Sequence, residues 1–520
     1  GGFSLPAGWC RITIILTKIL ALSLGGALAV GGPAAPSPLH PAYTATPVPT
    51  APVEERKTDF ALPCYPAVGF HPITGTNRLN LTLSPLLYRG LFRLNGRFEP
   101  VGELCREYAV SEDGLVWTFR LTSAFFSDGS PLTAKEAAAS LNTARKSQRY
   151  RERLADISKV LEEEGAIVVT LSRANGALPA LLDVPIVKET DDPNRPLGTG
   201  IYYLRDEGDK LFLQARAGAV TPLETIDLRP VAASDDLIYA FDAGEIALVD
   251  TDLTSTNALG YSGRFETTDY ATTALVYVGC NTRSGVCKDP LVRQAVARVA
   301  DREGMTKRLL AGHAVAAALP IHPAAAEYDG EAAAELRYNK EEAAGLLTEA
   351  GWSLGEEGLA RGRQQLTIKF LVNQDNTIKM KMAEELSSEL EELGCAVTLE
   401  RLPWDDYAAA LKKGDFDLYL GEVVLTADFD PKVLLDGALN YGGFADKETD
   451  RLLELYRAAA GEERKQAAAE LWERFVQVVP IIPLCFKNGS LLTQWGRVSG
   501  AAPTQRDVFA GLENWRLAIS

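Results

Sequence analysis

The chain has 520 residues, 46% of them hydrophobic, with 53 Lys and Arg against 69 Asp and Glu for a formal charge of −16. That apolar content is enough for two or three domains with real cores. The acidic balance argues against a nucleic-acid partner, whose phosphates need clustered Lys and Arg, and is read instead as solubility. His40, His71, His313 and His322 are scattered and form no HExxH pair. Seven cysteines contain no CxxC. Cys280 and Cys287 are close enough to bridge a loop, but the odd count favours buried free thiols.

In chain order, Arg11 and Lys18 precede an apolar run over 19–30, a pattern similar to an export signal, with Ala27-Leu28-Ala29 as a small-residue cleavage site. Counted from Ile12, the run approaches membrane-spanning length but contains Lys18, so an uncleaved anchor is the alternative. Cys10 precedes the run and does not support lipidation. Residues 31–53, rich in Pro, Ala and Thr, read as an extended tether, with the folded part starting near Glu54. An exported body on the outer face of the cytoplasmic membrane is expected.

Leu86, Leu87, Leu91 and Phe92 predict a helix within 83–92. Asp113-Gly114 between the alternating runs 107–110 and 116–121 predicts a hairpin. Asp128-Gly129 predicts a tight turn, and Thr133 with Glu136 a capping box. Further on, Ile368, Phe370 and Val372 alternate as a strand. Met382, Leu386, Leu390 and Leu393 recur at helical spacing up to Gly394, a residue suited to positive φ at a helix end. A strand over 396–399, a helix over 404–413 and a strand over 416–420 follow. This is a parallel strand–helix–strand–helix–strand unit, in which ligands bind beyond the carboxyl ends of the strands. The residues beyond the third strand, 421–431, are therefore where a ligand site is expected.

Several of these segments resemble one family, the large extracellular solute-binding proteins of ABC importers, of the peptide- and nickel-binding class. Residues 113–141 match its "DGL-W-F-LR", "F-SDG-PLTA-D" and helix pattern nearly throughout, and the run 125–134 is the most specific part. Leu86-Leu87-Tyr88-Arg89-Gly90-Leu91, Gly198-Thr199-Gly200-Ile201-Tyr202, the run 293–303, the run 338–352 and Gly414-Asp415-Phe416-Asp417 follow in the family's order. The resemblance implies an α/β, two-lobed periplasmic-binding-protein-like fold (type II, cluster C) that closes about a hinge. It places the first lobe at 54–275, with an extra domain at about 91–184. The second lobe is placed at 276–485, and 486–520 return to the first. Crossing segments are expected at 273–281 and 480–486.

Peptide-binding relatives hold the ligand's free amino group with an aspartate beyond the third strand of the second lobe. Asp428 best matches it, since an ammonium leaving water needs a fixed countercharge. Asp430, before Pro431, fits an ordinary turn aspartate better. Where relatives have Gly-Trp this chain has Gly421-Glu422, and Glu422 is either a second negative charge favouring cationic ligands or a solvated strand end. Thr74, Gly75, Thr76 and Asn77 lie at the turn where relatives approach the peptide backbone. Trp404 and Tyr441 are candidate aromatic contacts, with Trp404 more readily placed as a helix start packed in the core.

No GxSxG, HExxH, P-loop or complete dinucleotide fingerprint is present. Asp250 and Asp252 begin like a calcium loop but lack its glycine. No catalytic residue, cofactor or metal site is assigned. The expected function is capture of short peptides by a monomer that delivers them to a membrane permease. A nickel chelate or small cationic solute, with His71 or His322 as ligands, is the alternative within the class. A secreted glycan or peptide hydrolase is the alternative outside it.

Overall fold

The computed structural model describes residues 60–255 and 260–518. The expectations for the export signal, anchor and tether, and for Cys10 and His40, lie outside the described residues. Among those described, no helix is long and apolar enough to cross a membrane. The first lobe is built on a four-stranded sheet in which Ala61–Cys64 pairs in parallel with Thr225–Pro230, followed by Lys210–Ala215 and Tyr202–Glu207. Strands Cys105–Val110, Val116–Leu121, Ala166–Leu171 and Ile157–Glu163 form a separate antiparallel sheet that packs on helix Ala134–Lys146. Gly114 at φ 70° makes the predicted turn of its first hairpin. The predicted capping box is present. The Thr133 hydroxyl accepts from the first helical turn and the Glu136 carboxylate accepts from Thr133 N, satisfying donors that a helix start leaves open.

The parallel unit folds as its pattern predicts. Thr367–Asn373 lies between Ala396–Leu402 and Leu418–Val424, parallel to both, with helices Thr377–Glu392 and Trp404–Lys413 as crossovers. Met382, Leu386 and Leu390 are buried, and Gly394 has φ 98°. The expected helix over 83–92 is instead one turn, Ser84–Leu87, followed by strand Phe92–Leu94. Pro85 suits only a helix start. Gly90 lies so close to the neighbouring chain that a Cβ would meet the Val184 carbonyl at 2.7 Å, so the segment leaves the helix to pair there.

The lobes are joined by two long neighbouring strands, Phe265–Cys280 and Ile481–Gln494, antiparallel to one another in a seven-stranded sheet. Leu248 and Leu491 belong to one buried apolar cluster, whereas Leu275, Val278, Ile482 and Phe486 belong to another. The sheet thus passes from one core to the next. The six described cysteines are free and buried, Cys280 and Cys287 among them.

Candidate functional site

The crossing strands are irregular where the lobes meet. Ala271 pairs with Asn488 and Leu275 with Phe486, so residues 272–274 bulge opposite the single residue Lys487. Thr272 donates its hydroxyl to Lys487 O at 2.5 Å, and Thr273 exchanges hydrogen bonds with the Gln505 amide. The Lys487 side chain is 9% exposed, and its Nζ lies 2.7 Å from Asp252 Oδ2 and 3.1 Å from Glu422 Oε1. Lys379 Nζ lies 2.5 Å from the other oxygen of Glu422. Four alternating charges, Asp252–Lys487–Glu422–Lys379, therefore run across the junction. Burial acts to lower the Lys487 pKa, but Glu422 and Asp252 outweigh it and the net direction is upward. Burial acts to raise both carboxylates, and their lysine partners hold both below their ordinary values. Glu422 is thus neither a spare charge for a cationic ligand nor a solvated strand end. Gly421 before it faces Tyr277 across the sheet. A Cβ there would stand 2.9 Å from that ring, so the glycine makes room for a tyrosine of its own chain.

Asp428 lies past the end of the same strand on a strained loop in which Phe429 has φ 48°. Its side chain is buried. Oδ1 accepts from the Thr426 hydroxyl at 2.5 Å, and Oδ2 accepts from the Asn175 amide, 253 residues away in the other lobe, at 3.2 Å. Its main-chain oxygen accepts from Tyr456 and from the buried Arg464. Burial, and next the charge of Asp430, push its pKa up, against the bonds from Thr426 and Asn175 and the charge of Arg464. Asp430 is held by the buried Arg457 at 2.7 and 3.2 Å and accepts from Lys432 N. It fixes the loop and presents no free charge. Aromatic rings close the floor: Phe429 meets Phe98 of the first lobe at 5.2 Å and Phe486 at 6.0 Å, with His322 between those two.

The other predicted residues go elsewhere. Thr74 is exposed, its N–H donating to His71 Nδ1, so that His71 spends one ring nitrogen on its own turn. Asn77 caps helix Arg78–Thr82 and also lines a cavity of about 550 Å³ on the first lobe, together with Arg78, Asp250 and Asp252. Asp250 there accepts from the Tyr270 hydroxyl, and Asp252 accepts from Thr254 and meets Lys487, so neither follows a calcium-loop pattern. Trp404 starts its helix as expected but is 59% exposed, with its ring near Tyr407. Side chains on a helix lean toward its N-terminus, so the first residue overhangs the end and misses the core. Tyr441 stacks edge-on with Tyr419. His322 is buried, with Nδ1 accepting from Ala324 N, and burial lowers its pKa to about 4. Sequence reasoning missed Asn175, Lys379, Lys487, Arg457 and Arg464. Only Lys487, a lone cation in the apolar run 481–492, carried a local signal.

The profile of the bacterial extracellular solute-binding proteins, family 5 (middle region), matches residues 99–446. The chain is 22% identical over 488 residues to the oligopeptide-binding protein AppA of Bacillus subtilis, covering 86% of this chain and 89% of that protein. Among solved structures, the periplasmic murein tripeptide-binding protein MppA in an unliganded open form superposes with a TM-score of 0.72 at 18% identity, covering 89% of this chain and 98% of that one. NikA from Brucella suis in complex with Fe(III)-EDTA superposes with a TM-score of 0.67 at 19% identity, covering 88% and 100%. These likenesses carry the two-lobed fold.

Proposed function

The chain belongs to the bacterial extracellular solute-binding proteins of family 5, and from that premise we propose that it captures short peptides bearing a free amino group between its lobes and delivers them to an ABC permease. The observation that carries this reading is Asp428, a desolvated carboxylate on a rigid loop, covered from the opposite lobe by Asn175. When the lobes part, that cover is withdrawn and the carboxylate meets water. A ligand's ammonium then provides the countercharge that a buried carboxylate requires, and closure removes both from solvent. Ionised partners strengthen the hydrogen bonds made there. The oligopeptide-binding and murein tripeptide-binding relatives support a peptide as the ligand. The protein acts outside the cytoplasmic membrane, as a monomer, and alters no bond of its passenger.

The test is calorimetry with matched peptides. Asp428→Asn is expected to weaken a free-amine peptide and leave its N-acetylated form nearly unchanged. Equal losses for both refute the amine clamp. Mass spectrometry of small molecules released from the purified protein identifies the ligand, and turnover of a bound peptide refutes the non-enzymatic reading.

A further inference from the structure

Asn175 sits in the loop before the 3-10 turn Leu178–Leu181 and is 3% exposed. Its Oδ1 accepts from Ala177 N at 2.9 Å, which fixes the amide with Nδ2 toward Asp428. The next residue, Gly176, donates its N–H to Arg457 O at 2.8 Å, and a Cβ on it would stand 2.0 Å from Ala459 O. The loop therefore reaches backbone-to-backbone contact with the second lobe, at a distance only glycine permits. On the other side Tyr456 and Arg464 clamp the main chain of Asp428. Both ends of the Asn175–Asp428 contact are thus set by rigid supports from different lobes, and the contact exists only when the lobes meet.

We propose that Asn175 is a specificity-determining residue of the amine site: closure brings its amide to Asp428, where Nδ2 orients the carboxylate and Oδ1 offers a second acceptor to a primary ammonium. This rests on the reading of Asp428 as the amine clamp. A carboxylate oxygen and an amide oxygen each accept two hydrogen bonds. Asp428 Oδ2 and Asn175 Oδ1 each use one on the partner described, which leaves one apiece. A primary ammonium brings three donors and can satisfy both, whereas an N-acetylated terminus brings one. The Asn175 bond also acts to keep the Asp428 carboxyl ionised, against its burial.

The experiment is titration calorimetry of the full chain with trialanine and N-acetyl-trialanine between pH 4.5 and 8. The variants are Asn175→Ala, Asn175→Asp and Asp428→Asn. Asn175→Asp keeps the acceptor for Ala177 N but replaces the donor to Asp428 with a second carboxyl, so its pH midpoint tests the contact even if the alanine variant disturbs the loop. Asn175→Ala is expected to lose on the order of tenfold in trialanine affinity at pH 7, the scale of one hydrogen bond to a charged group, whereas Asn175→Asp, which keeps the acceptor, is read through its pH midpoint. N-acetyl-trialanine is expected to change less than about twofold, since it never used that acceptor. The pH at which trialanine binding fails is expected to rise in both, a readout that a structural role would not move. Equal losses for both peptides, or an unmoved pH midpoint, overturn the proposal. If Asp428→Asn abolishes the preference for trialanine while Asn175→Ala keeps it, this inference alone falls. If Asp428→Asn keeps the preference, or the wild type does not bind trialanine, the amine-clamp reading falls and takes the inference with it.

Discussion

Replacing Lys487 with Met tests the charge chain at the junction. The substitution keeps the apolar stem of the side chain and removes an ammonium that faces Asp252 at 2.7 Å and Glu422 at 3.1 Å. Breaking a fully buried pair costs about 3–5 kcal/mol, because the surviving charge stays desolvated. Here the carboxylates keep 26% and 23% exposure, and Glu422 retains Lys379. Solvent screening at those oxygens therefore brings the expected loss down to about 2–3 kcal/mol. Most of it falls on Asp252, which keeps only the Thr254 bonds. Adding Asp252→Asn removes the stranded charge, so the double variant should recover about 1–2 kcal/mol relative to the sum of the single ones. Urea unfolding followed by tryptophan fluorescence and circular dichroism measures this. A loss under about 0.5 kcal/mol for Lys487→Met, or additivity within about 0.3 kcal/mol, refutes the argument. The pH dependence has a definite sign. Asp252 and Glu422 are held below their ordinary values in the folded chain. Their contribution is full above the ordinary carboxylate range and is lost as pH falls below it.

Three further outcomes follow from the same geometry. His322, lowered to about 4 by burial, binds a proton more weakly folded than unfolded, so its share of stability is lost as pH falls from about 6.5 toward 4. His322→Asn keeps an acceptor for Ala324 N and should flatten melting temperature against pH in that window; an unchanged slope counts against it. Gly176→Ala puts a methyl group against Ala459 O and should raise the radius of gyration measured by scattering with saturating peptide, while an unchanged radius shows that the loop can yield. Asp428 is pushed above its ordinary value, chiefly by burial, so free-amine peptides should already bind more weakly as pH falls toward the ordinary range. N-acetylated peptides should show no such trend by calorimetry.

Local pattern carried the second lobe well. The helix expected over 404–413 is Trp404–Lys413, and the alternation of Ile368, Phe370 and Val372 became the centre of the parallel unit. Both depend on side-chain period, which a short window holds. The helix expected at 83–92 failed because its apolar spacing was genuine while Pro85 suits only a helix start and Gly90 bridges to Pro185 against the Val184 carbonyl. The site was less legible for the same reason. Asp428 was singled out by its match to the aspartate of peptide-binding relatives, but its cover, Asn175, lies 253 residues away. Glu422 looked free because its partners, Lys379 and Lys487, belong to a different helix and a different crossing strand. Nothing near residue 422 announces them.

Phe98 and Phe429 both have left-handed backbones, at φ 64° and 48°, and their rings meet edge-to-face at 5.2 Å. Phe98 is buried in the apolar cluster that holds the second lobe together. The segment that carries Phe98 is therefore not an interchangeable module. Transplanting it into a relative would carry half of a strained aromatic joint away from its mate, and a working chimera would have to move residues 98 and 429 as a pair.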